Sequence, residues 1–164
     1  MKTGALLPTK GLVLRDGLTL SVETSILIRT VLDAVHEVRW PRVFFQRAEE
    51  DTTPEPVLRG LLSYCLVKGI CGAHEIEAAV ADDPGAEYLA ANYRPKWQTI
   101  HEFRRRNLNG LKDALAVVIC RCQGEPLLAD AFALPLIETA LDCLTEANRR
   151  LFRAIKADSM VLDW

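Results

Sequence analysis

The 164-residue sequence predicts an all-α, multi-helix bundle. Apolar residues recur at threes and fours along most of the chain from Ser21 onward. The periodic runs stop at Pro- and Gly-bearing breaks. The one strand signal lies in the first twenty residues. Residues 1–20 therefore form an N-terminal segment with a short β-hairpin, 21–123 a helical domain, and 124–164 a linker and a C-terminal helix packed on that domain.

In chain order, Leu12-Val13-Leu14, Arg15-Asp16-Gly17 and Leu18-Thr19-Leu20 give the hairpin: two apolar runs around an Asp-Gly turn. A first helix spans Ser21 to Val38, with Ile26, Ile28, Val31, Leu32, Val35 and Val38 on its apolar face, and Trp40-Pro41 ends it. Ala48–Asp51 is a surface loop. Thr53-Pro54-Glu55 opens a second helix with a hydroxyl cap, Pro at its first position and an acid against the dipole. Val57, Leu58, Leu61, Leu62, Cys65, Leu66 and Ile70 place this helix at the centre of the core; Gly69 and Gly72 close it. A short helix covers 73–81, Asp82-Asp83-Pro84-Gly85 turns, and 87–92 adds a helical turn or two. After Asn92-Tyr93-Arg94-Pro95 a helix runs from about Lys96 to Arg106. It bends near Asn109-Gly110 and continues as Leu111–Cys122. Beyond Gly124-Glu125-Pro126 one long helix is expected over Leu134–Lys156, for six or seven helices in all.

Hydrophobic residues make up 49% and charged residues 26%, with a net charge of −2 and a pI of about 5.9. A protein that is basic overall is excluded, but a local basic stripe is not. No apolar run reaches the roughly 18 residues of a membrane span, and the N-terminus lacks the apolar core of a secretory signal. Five cysteines, with Cys120 and Cys122 two apart, point to reduced thiols and a cytoplasmic protein.

The charge is unevenly spread. Residues 73–92 carry Glu75, Glu77, Asp82, Asp83 and Glu87 and no cation. Residues 93–112 carry Arg94, Lys96, Arg104, Arg105, Arg106 and Lys112 against Glu102 alone. At about 100° per residue, Trp97 and Phe103 fall within about 60° of Ile100 and define a buried arc. Gln98, His101, Glu102, Arg105 and Arg106 lie opposite. Gln and Arg are side chains that read adenine and guanine edges bidentately, while further Arg and Lys hold phosphate. Arg104 falls inside the apolar arc and is expected to be snorkelling or paired, with an acid of the 73–81 helix as its candidate partner. A short helix, a connection and a basic helix have the order of a helix-turn-helix, although the 81–97 connection requires a variant with an inserted turn. A basic run on an exposed face also serves solubility and local ion pairs, so both readings stand at this point.

Pro54–Arg106 resembles the N-terminal domain of bacterial insertion-sequence transposases of the InsH-like type. Tyr64, Gly69, Ile70, Glu77, Pro95, Thr99, Ile100, Phe103, Arg104 and Arg105 match that family's pattern in order. The resemblance implies a module that binds double-stranded DNA, such as transposon ends, and self-associates as a homodimer or with a full-length transposase. Its DNA contacts would be Gln98, His101, Arg105 and Arg106, with Arg94, Lys96 and Thr99 holding phosphate at the helix start. Lys96 departs from the family's Asp. Residues 124–164 hold no counterpart of the RNase H-like domain with its metal-binding acids, so strand transfer is not carried over. The expectation is a non-enzyme without metal or cofactor. The rival readings are a protein-interaction or dimerisation module and a decayed fragment that binds nothing.

Other constellations are weak. His36, His74 and His101 make no zinc motif, since His74-Glu75-Ile76-Glu77 lacks the second histidine. Cys120 and Cys122 lie on different helix faces and read as free thiols. Glu75, Glu77, Asp82 and Asp83 read as a solvated acidic face, and Trp97 as core.

Overall fold

The computed structural model describes residues 12–13, 19–132 and 134–162. Two short strands, β1 (Leu12–Val13) and β2 (Thr19–Leu20), pair antiparallel, with Leu12 opposite Leu20 and Val13 opposite Thr19. The Arg15-Asp16-Gly17 turn lies outside the described residues. Leu20 is buried, which docks the end of the hairpin on the helices.

Eight helices follow among the described residues: α1 (Val22–Glu37), α2 (Glu55–Val67), α3 (Ala73–Asp82), α4 (Pro84–Ala90), α5 (Trp97–Arg106), α6 (Leu108–Gln123), α7 (Pro126–Ala131) and α8 (Ala140–Leu162). The all-α expectation holds. The C-terminal part differs from the sequence reading: α7 lies in the expected linker, and the closing helix starts at Ala140 instead of Leu134. Leu134 precedes Pro135, whose ring disfavours the α conformation there. α8 begins once the Thr139 hydroxyl can accept the Asp142 amide, at 3.1 Å.

α2 is the central helix. Leu58, Leu61, Leu62, Tyr64, Cys65, Leu66 and Val67 are all fully buried, and α1, α4 and α6 pack around them. Each buried leucine stabilises the fold by roughly 1.5–3 kcal/mol. α8 lies chiefly along α6. The Ser21 hydroxyl caps α1 by accepting the Thr24 amide at 3.1 Å. Thr53 does not cap α2: Pro54 holds that position, and the buried Thr53 hydroxyl donates to Asp51 at 2.7 Å instead. α2 ends where Gly69 takes φ 83°, a left-handed conformation that glycine adopts without steric cost. Its last carbonyls are met from α8: the buried Arg150 donates to Val67 O at 2.7 Å and to Leu66 O at 3.2 Å, and pairs with Glu146.

Asp83 is a junction and not part of a solvated acidic face. Its carboxylate accepts from the Tyr64 hydroxyl at 2.8 Å, from Lys68 at 2.5 Å and from the Gly85 and Ala86 amides that open α4. Burial pushes its carboxyl up, but those donors outweigh burial and hold it below the usual range. The cysteine expectation is corrected as well. Cys120 on α6 and Cys143 on α8 form a disulfide, while Cys65, Cys71 and Cys122 are free thiols. The two sulfurs meet because α6 and α8 are packed neighbours, a proximity that cysteine spacing along the chain does not encode.

Candidate nucleic-acid interface

α5 is held on three sides. Ile100 and Phe103 are fully buried, and Phe103 packs edge-on against Phe45 at 5.3 Å and against Trp40 at 6.5 Å. Trp97, expected in the core, is half-buried and stacks on His74 at 4.4 Å. Arg104 is 2% exposed, as its place in the apolar arc predicts. Its partner is not an acid of α3. Arg104 pairs with Asp158 of α8 and also donates to Cys71 O at 2.6 Å and to Ala154 O at 3.4 Å.

Asp158 joins three helices. It accepts from Arg104 and His101 of α5, the latter through Nδ1 at 2.8 Å, and from the Ala73 amide at the start of α3 at 2.9 Å. Burial raises the Asp158 carboxyl; His101, the Ala73 amide and Arg104 together outweigh it and hold the group below the ordinary carboxylate range. His101 is therefore half-buried and occupied on one nitrogen, which leaves it at the edge of the outer face.

The start of α5 is unlike what the sequence suggests. The Lys96 amide donates to Asp51 at 2.8 Å and the Trp97 amide to Glu77 at 3.2 Å. Two carboxylates from distant segments thus meet the positive end of the helix, supplying the acid that Lys96 does not. Thr99 is fully buried, and its hydroxyl accepts the Ala48 amide at 2.8 Å. It anchors the 48–51 loop, and its hydroxyl is turned away from any phosphate. The exposed Arg94 donates to Val80 O at 3.3 Å, near the C-terminal end of α3. Amides already bonded to carboxylates cannot bind an anion, so the helix start is not a phosphate cradle.

The other end is open. The Arg105 and Arg106 side chains are 57% and 52% exposed and share one acid, Glu102, at 2.9 and 3.8 Å. The Arg105 hydrogen bond lowers the Glu102 carboxyl. Neither arginine pairs with the acids of 73–92. Gln98 is exposed, and Glu102 half-buried, on the same outer face, as the helical period predicts. α4 occupies the connection between α3 and α5, so the unit is a helix pair with an inserted helix and not a compact helix-turn-helix.

Sequence reasoning missed Asp158, Asp51 and Glu77. Asp158 carried one signal: it sits four residues after Ala154 on the buried stripe of α8, where an acid requires a partner. Among the described residues no group of His, Cys, Asp or Glu is placed to hold a metal ion, and no helix is long and apolar enough to cross a membrane. No family model, no curated protein and no solved structure matches this chain.

Proposed function

We propose that the chain binds duplex DNA through the outer face of α5. One observation carries the reading. Arg105 and Arg106 stand exposed at the C-terminal end of a helix whose other faces are locked into the fold, countered among the described residues only by Glu102 of the same helix. Gln98, Arg105 and Arg106 are the groove-facing side chains, His101 lies at their edge, and the exposed Arg94 and Lys96 flank them. The buried Arg104–Asp158 pair supports the reading by fixing the helix, so its outer residues keep their spacing. The order of residues shared with the InsH-like domain is in keeping with it. Thr99 has no part in it. Transposon ends are the proposed class of site, and no strand cleavage is proposed.

The test is fluorescence anisotropy with mixed-sequence duplex DNA from about 50 to 200 mM salt, where each phosphate contact adds about 0.9 to the salt slope. Wild-type chain should bind with a steep slope, and the Arg105→Ala/Arg106→Ala double variant should lose nearly two units of it. Glu102→Gln should tighten binding by freeing both guanidiniums. Absence of binding at the lowest salt, or binding indifferent to the double variant, refutes the assignment.

A further inference from the structure

The outer face of α8 carries Leu141, Phe152 and Ile155, which none of the described residues covers. The inner face of the helix buries Cys143, Glu146, Ala147, Arg150, Leu151, Ala154 and Asp158. On the outer face the apolar Leu141, Phe152 and Ile155 and the polar Thr145, Asn148 and Ser159 are exposed at alternating spacings of four and three, the spacing of a two-helix coil. Leu141 is 71% and Phe152 69% exposed. Phe152 is one wall of an open groove between α6 and α8 that Leu108, Leu151 and Ile155 also line, together with the polar Lys112, Asn148 and Arg149. Projection and recess thus share one surface, which is what an isologous contact needs.

The charges choose the orientation. Among the exposed ionisable side chains of α8, Asp142 lies in the first turn, Arg149 at mid-helix, and Arg153 and Lys156 toward the other end. Parallel pairing would set each charge beside its own copy. Antiparallel pairing about the level of Arg149 sets Asp142 opposite Lys156 of the second copy, and opposes the two helix dipoles favourably. Arg149, which comes near the two-fold axis, is already countered by Glu146 at 2.7 Å.

We infer that the outer face of α8 is a homodimer interface in which two copies pair antiparallel, each Phe152 entering the other's α6–α8 groove. This goes beyond DNA binding and stands independently of it. Sedimentation equilibrium of the full chain tests it. Wild type should run at twice the 18.3 kDa chain mass at tens of micromolar. Phe152→Glu should run as the monomer with unchanged far-ultraviolet dichroism, a loss of about tenfold or more in dimer affinity. Asp142→Lys should weaken the dimer, and the Asp142→Lys/Lys156→Asp exchange should restore it. A monomeric wild type, including one whose stripe serves a different protein, overturns the inference. So does a dimer indifferent to Phe152→Glu, and failure of the exchange to rescue overturns the antiparallel arrangement.

Discussion

Replacing Asp158 by alanine should be among the most damaging single changes in the chain. The substitution leaves the Arg104 guanidinium buried, with only the Cys71 and Ala154 carbonyls as partners among the described residues. Removing one member of a buried ion pair costs about 3–5 kcal/mol, because the remaining charge is uncompensated. The Ala73 amide also loses its acceptor. We expect a loss of at least about 3 kcal/mol in urea denaturation, and a Tm lower by roughly 10 °C for a domain of this size. Asp158→Asn, which keeps an acceptor for the amide but not the charge, should fall between. The pH dependence has a defined sign. A carboxyl held below its unfolded value of about 3.9 stabilises the fold fully above that pH, and the contribution fades as pH falls through the lower folded value. The stability gap between wild type and Asp158→Ala should therefore narrow below about pH 4. A loss under about 1 kcal/mol at pH 7, or a gap that stays constant into acid, would refute the account of Arg104 as a buried charge dependent on this partner.

Two further outcomes follow from the packing. Reducing the Cys120–Cys143 bond, with a sequence separation of 23, should cost roughly 3 kcal/mol by loop entropy, and calorimetry with and without a phosphine reductant checks it; an unchanged Tm would refute it. Gly110→Ala should destabilise by about 1–2 kcal/mol despite the better helix former, because the new Cβ would lie 2.7 Å from Trp40 Cζ3. Urea denaturation that shows the variant to be more stable would contradict that packing.

What was legible in the sequence was what depends on neighbours within a turn or two. The buried arc of Ile100 and Phe103 and the place of Arg104 within it follow from the period of a helix. The identity of Arg104's partner does not, since Asp158 lies 54 residues away and reaches it only through the packing of α8. Thr99 fails for a related reason: its position near a helix start suits a phosphate contact, but the loop carrying Ala48 folds over it. Local chemistry also misled at Thr53, where Asp51 competes successfully for the hydroxyl. The restriction that Pro135 places on Leu134 is by contrast a local signal, and it moves the start of the last helix.

The Cys120–Cys143 bond has a topological consequence. It closes residues 120–143 into a covalent ring that holds the end of α6, all of α7 and the first turn of α8. Two arms leave that ring: one carries α1–α5 and most of α6, the other the rest of α8. A single backbone cut anywhere inside the ring, in the non-helical 134–138 stretch for instance, leaves both arms joined through sulfur. Arg150 and Asp158 would then keep their places against α2, α3 and α5 as parts of one molecule, so a nick at this surface segment leaves the helical domain whole until the bond is reduced.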